Sequence, residues 1–258
     1  MPVLLWDFDD TLGFRDGKWG AALMDAVRRA LPGHPLTLDE LRPHLMHGFP
    51  WHNHHLPHTH IRNVDAWWND LMNPILAGAL RDAGIPSPDA DAAAALVRQE
   101  FPRLERWSLF PETVSVLQEL AGQGWRHLIL SNHVPELPDI LEHLGIRHYF
   151  AHVVNSATTG FEKPHPNAFA CALEWCEREE PVWMIGDNFT ADIEGAAAAG
   201  IPGILVQKPH PQADRYAESL WEVVGIVGRG GTQEIGSRIK SEHQRIQPSA
   251  HAEPQCGE

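Results

Sequence analysis

Short apolar runs punctuate the chain at 3–8, 125–130, 152–154, 182–185, 204–206 and 223–227, most of them ending in glycine or a polar residue. The first is broken at once by acidic residues, which is how a buried parallel strand running out into a polar site reads. Helical patterns separate the later runs. Residues 112–121 put Val116, Leu117 and Leu120 on one stripe, 137–144 follows Pro135, and 167–176 follows Pro166. The alanine-rich stretch 190–199 closes on Gly200, a good helix stop. Strands alternating with helices predict an α/β fold with a Rossmann-like parallel sheet covered on both faces.

The stretch 14–106 has a different texture. It holds no convincing strand, and its periodic segments at 19–31, 66–83 and 90–101 are helical in spacing. Because it interrupts the sheet pattern after a single strand, it reads as a helical insertion. From about Gly228 the apolar pattern fades into Gly, Ser, Gln, Pro and charge. The expected organisation is a core of 1–13 and 107–230, an inserted helical domain at 14–106 and a disordered tail at 231–258.

Composition narrows the partners. Acidic residues outnumber Lys and Arg by 34 to 20, a formal charge of −14. Nucleic acid and anionic membrane both need a basic footprint, so neither is expected. A small phosphorylated metabolite is compatible, since a divalent cation supplies positive charge locally. The three cysteines form no paired framework, and no run approaches the roughly 18 apolar residues of a membrane span. Asp7, Asp9 and Asp10 fall where a signal peptide would continue its apolar run. The expectation is a cytoplasmic protein, monomer or homodimer.

The chemistry gathers where apolar runs end. Asp7-Phe8-Asp9-Asp10-Thr11-Leu12 follows the first, at the edge of a parallel sheet where ligands bind. Alternation along an extended strand would put Asp7 and Asp9 on one side, where mutual repulsion calls for a cation or a shared proton. An acid-rich turn with no further role is the plainer alternative. Asp187 ends a second run in Met184-Ile185-Gly186-Asp187-Asn188, and Asp192 opens the next helix. Asp7, Asp9 and Asp187 would make a three-acid cluster suited to Mg²⁺. Ser131 and Asn132 end a third run, and Lys163 precedes a proline-opened helix; taken singly these are ordinary turn and surface residues.

In combination and order, DFDDTL at 7–12, LSN at 130–132, KPHP at 163–166 and GDNFTAD at 186–192 resemble the haloacid dehalogenase-like hydrolases. The resemblance implies a capped phosphatase that hydrolyses a small phosphomonoester. Asp7 would be the nucleophile, forming an aspartyl-phosphate, and Asp9 the general acid and base. Mg²⁺ would be held by Asp7, the backbone carbonyl of Asp9 and Asp187. Lys163 would neutralise phosphoryl oxygens, Ser131 and the Asn132 N–H would donate to them, and Thr11 and Asp192 would support. Asp192 is expected to orient Lys163 or metal-bound water. An acid at position 9 points away from dehalogenation and phosphonate cleavage, and Thr11 away from the mutase branch. The remaining alternatives are a phosphoryl transferase of the β-phosphoglucomutase type and a non-catalytic homologue that binds a phosphorylated ligand or a partner.

Seven of the 17 histidines lie at 44–60. Interspersed prolines and the lack of helical spacing favour a structural loop over a metal site, with a substrate-facing role in between. Trp51, Trp67 and Trp68 read as core of the insertion, and Arg15, Lys18 and Arg62 as cations without an assigned task.

Overall fold

The computed structural model describes residues 1–61, 63–177 and 181–230. Six strands form one parallel sheet in the order β5-β4-β1-β6-β7-β8, with β1 (Val3–Trp6), β4 (Arg126–Ser131), β5 (Phe150–Asn155), β6 (Val182–Gly186), β7 (Gly203–Val206) and β8 (Tyr216–Ala217). The central strand β1 is wholly buried. Its alternate side chains face opposite layers: Leu4 and Trp6 join one apolar cluster, Val3 and Leu5 the other. Helices Thr113–Gly122 and Leu137–His143 cover the first face, and Pro166–Leu173 covers the second. The expected α/β architecture is therefore present.

Three local expectations need correction. The run 223–227 is not a strand but part of the helix Leu220–Gly230. Leu220, Val223 and Val227 are buried at helical spacing while Trp221 is exposed, and a short apolar run does not distinguish the two periods. The sheet ends instead on the two-residue β8, too brief to leave a pattern. Second, the stretch beginning at 14 does contain strand. Here β2 (Gly13–Arg15) pairs antiparallel with β3 (Trp107–Leu109), so the two ends of the segment 16–106 lie side by side. Third, the alanine-rich helix expected at 190–199 opens with a π-wound turn, Phe189–Glu194, before helix Gly195–Ala198.

Among the described residues of 16–106 there is no strand. Helices Lys18–Ala30 and Asn73–Asp82 both pack on Ser87–Glu100, around buried Leu23, Trp67, Trp68, Met72 and Val97. Arg15 is buried, donating to the carbonyl oxygens of Glu100 and Phe101 and so tying the end of that last helix to the ribbon. A further attachment lies across the molecule. The His58 N–H donates to Gly160 O at 2.9 Å, and His58 Nε2 lies 3.1 Å from Glu162 Oε1, both side chains buried. Among the described residues no helix is long and apolar enough to cross a membrane. The tail expected at 231–258 lies outside the described residues, as does Arg62.

Candidate active site

Parallel pairing sets β4 and β6 on either side of β1, so Ser131, Asp7 and Asp187 emerge together at the carboxyl edge of the sheet. Asp7 is 7% exposed, and its N–H donates to Ile185 O at 2.9 Å. Beyond it the chain curls tightly. Leu12 and Gly13 both donate their N–H to Phe8 O, and Asp10 takes a left-handed φ of 58°. Thr11 is buried in this turn.

Two donors converge on one oxygen of Asp7. Ser131 Oγ lies 2.7 Å from Asp7 Oδ1, and Lys163 Nζ lies 2.9 Å from the same atom. Lys163 also donates to Asp192 Oδ1 at 2.6 Å, while Asp192 Oδ2 accepts the Asn188 N–H at 3.0 Å. Asn132 secures the lysine's own backbone, accepting from Lys163 N at 2.7 Å and donating to Lys163 O at 3.0 Å. Gly186 makes room for this cluster, because a Cβ there would sit 2.1 Å from Asp192 Oδ2.

Oxygens of Asp7, Asp187 and Asp192 lie within 4.8 Å of one another. This differs from the expected trio, in which Asp9 stood in place of Asp192. The alternation that paired Asp7 with Asp9 does not apply, because the strand stops at Trp6 and Asp9 bridges back to Gly13. The Asp9 side chain, 39% exposed, belongs to the cavity above.

The electrostatics follow from this crowding. Enclosure by the cavity walls keeps the Asp9 carboxyl from bulk water although its surface reaches the cavity, and with the charges of Asp7 and Asp10 close by it is raised above the ordinary carboxylate range. Burial and Asp7 likewise raise Asp187. Burial alone would depress Lys163, but the Asp192 and Asp7 carboxylates outweigh it and hold the ammonium protonated. Burial pushes Asp192 up to about 7 against the pull of Lys163. The two tendencies oppose each other, and the short contact from Lys163, together with the Asn188 N–H, favours the charged pair at neutral pH. Lys208 donates to both Asp187 and Asp10, and Lys18, at the start of helix Lys18–Ala30, to Asp10.

Above the acids lies a cavity of about 500 Å³. Trp19, Trp51, His52, His54 and Phe101, from the segment 16–106, contribute to its wall with His133. Trp67 and Trp68 are buried core, as expected, whereas half-buried Trp51 faces the cavity. The histidine run divides its tasks: His52 and His54 line the cavity and His58 pairs with Glu162. None of them joins a metal-holding group among the described residues. Sequence reasoning missed Lys208 and His133, although both carried a signal. His133 directly follows Ser131-Asn132, and Lys208 sits just past the end of β7, at the same sheet edge.

Residues 1–200 match the haloacid dehalogenase-like hydrolase family. The chain is 32% identical over 158 residues to haloacid dehalogenase-like hydrolase domain-containing protein 3 of Bos taurus, covering 60% of this chain and 61% of that protein. It is 29% identical to phosphoserine phosphatase of Thermus thermophilus over 230 residues, covering 81% and 89%. In fold it is similar to the magnesium-bound HAD-hydrolase YfnB of Bacillus subtilis, with a TM-score of 0.65 at 23% identity, covering 88% of this chain and 98% of that one. With its core matched from the first strand to the last acidic motif and phosphatases among its relatives, the chain belongs to the haloacid dehalogenase-like hydrolases and is an enzyme of that family.

Proposed function

We propose that this enzyme hydrolyses a small phosphomonoester in two steps, with Asp7 as nucleophile. The observation that carries the reading is the double grip on Asp7 Oδ1 by Ser131 and Lys163, at the end of the central strand. The grip fixes the carboxylate's orientation for in-line attack. Attack of Asp7 on phosphorus breaks the bond to the ester oxygen, and that oxygen takes a proton from Asp9. The raised proton affinity of Asp9 suits it to arrive protonated. Water then attacks the aspartyl-phosphate, Asp9 recovers a proton from it, and the bond between phosphorus and Asp7 breaks to release phosphate. Lys163 neutralises the phosphoryl oxygens and the Asn132 N–H donates to them, while the single Ser131 hydrogen stays on Asp7. Asp192 acts as a positioning residue, holding Lys163.

The all-oxygen donor set fits Mg²⁺. Asp7, Asp187 and the backbone carbonyl of Asp9 would hold it, which assigns Asp192 to Lys163 rather than to the metal. When bound, the cation offsets repulsion between the Asp7 carboxylate and an anionic phosphate. We read the helical insertion as a cap whose wall selects the leaving group, and a cavity of about 500 Å³ suits a small metabolite.

The test is phosphate release from a broad panel of phosphomonoesters, with and without Mg²⁺, for wild type and Asp7→Asn. The expected result is Mg²⁺-dependent release that falls at least about a thousandfold in the variant. Release that persists undiminished in Asp7→Asn would rule out the nucleophile.

A further inference from the structure

His133 is buried against three aromatic rings, with centroid distances of 5.1 Å to Trp107, 5.6 Å to Phe8 and 6.4 Å to Phe101. This packing holds the imidazole in one orientation in the cavity wall. Its Nδ1 lies 3.3 Å from Val134 O. A carbonyl only accepts, so Nδ1 carries the hydrogen and Nε2 presents a lone pair. Nε2 is buried and has no hydrogen-bond partner among the described residues. The facing Asp9 Oδ2, at 3.7 Å, is too distant for a hydrogen bond. A buried acceptor without a donor is unfavourable, and a ligand that brings one gains by satisfying it.

We propose that His133 Nε2 accepts a hydrogen bond from a hydroxyl on the carbon next to the ester carbon, so that the substrate is a phosphomonoester of a polyol or sugar. The proposal rests on the phosphatase reading, because the assignment of Asp9 to the ester oxygen fixes where the leaving group lies. With that oxygen at Asp9, His133 stands within reach of an oxygen borne by the adjacent carbon. A neutral hydroxyl satisfies Nε2 without bringing an uncompensated charge into an aromatic pocket. The Trp19 and Trp51 walls suit the C–H face of such a carbon chain.

The test compares binding of two non-hydrolysable ligands, 3,4-dihydroxybutyl phosphonate and butyl phosphonate, by titration calorimetry with Mg²⁺ present. Wild type is expected to bind the dihydroxy ligand about tenfold more tightly. In His133→Phe, which keeps a ring among rings, the ratio falls to near one. His133→Gln, which keeps an acceptor, retains part of the preference. Equal binding of the two ligands by wild type, failure of both to bind, or a ratio unchanged in His133→Phe overturns the proposal. So does an equal loss for both ligands in His133→Phe, since that would mean His133 acts through Asp9. Phosphate release from p-nitrophenyl phosphate by the same preparations tests the phosphatase reading separately.

Discussion

Lys163 joins two buried carboxylates through one ammonium, with its side chain only 2% exposed. Removing it leaves Asp7 and Asp192 facing each other without compensation. Lys163→Met is therefore expected to cost about 3–5 kcal/mol of stability, read by denaturant unfolding, and to abolish phosphate release. A variant as stable as wild type would mean the acids are neutralised some other way. A second residue far from the site governs acid sensitivity. Trp6 Nε1 donates to His127 Nδ1 at 2.9 Å, which leaves the His127 hydrogen on Nε2, facing Leu117 O at 3.2 Å. Burial pushes this imidazole down to about 4, so the unfolded chain takes up the proton first. The contribution to stability is full above the ordinary histidine value of about 6.5 and is lost as pH falls from there to about 4, some 2–4 kcal/mol in all. His133, also pushed down to about 4 by burial, adds a loss over the same window. Asp9, Asp187 and Asp192, raised by burial, contribute in the opposite sense over this window, so the His127 share is read as a difference: between pH 7.5 and 4.5, wild type should lose about 2–4 kcal/mol more than His127→Gln in urea unfolding. Neither histidine was legible in this respect from sequence. His127 lies within an apolar run and His133 just past its end, and only tertiary packing turns each inward.

At the scale of elements, what the sequence made legible was what local pattern dictates. The apolar runs of β1, β4 and β6 appear in the chain, and so does the polar residue that ends each, which is why Asp7, Ser131 and Asp187 were found. Elements defined by pairing partners were not: Gly13–Arg15 becomes a strand only because Trp107–Leu109 lies beside it. The same limit hid the attachment between His58 and the loop before Lys163. Gly160 has a left-handed φ of 78°, and a Cβ there would lie 2.7 Å from both the Thr59 N and Cα. Gly160→Ala is thus expected to cost about 2 kcal/mol or more, because the clash is with backbone and cannot be relieved by a rotamer. Denaturant unfolding measures it, and an unchanged midpoint would show that the two loops separate freely.

For the molecule as a whole, a chain of formal charge −14 concentrates Asp7, Asp9, Asp10, Asp187 and Asp192 around one cavity. Lys18, Lys163 and Lys208 offset them only in part. A ligand that binds the folded state alone stabilises it, by about 2.7 kcal/mol at a hundredfold excess over Kd. Saturating Mg²⁺ should accordingly raise the Tm by about 5–10 °C, an effect reversed by chelator and absent in Asp187→Asn. An equal rise with NaCl at matched ionic strength would reduce it to screening.

The ribbon of β2 and β3 brings the two ends of residues 16–106 side by side, while Asp7, Ser131 and Asp187 hang from adjoining strands that this segment never interrupts. That arrangement separates inheritance into two ledgers. A lineage can recut the segment, lengthening a loop or exchanging a tryptophan, without disturbing the register that aligns Asp7, Ser131 and Asp187. On the proposed reading, in which this segment selects the leaving group, exchange of that one stretch would change what is hydrolysed, and a graft across positions 15 and 107 is the laboratory version of the same step.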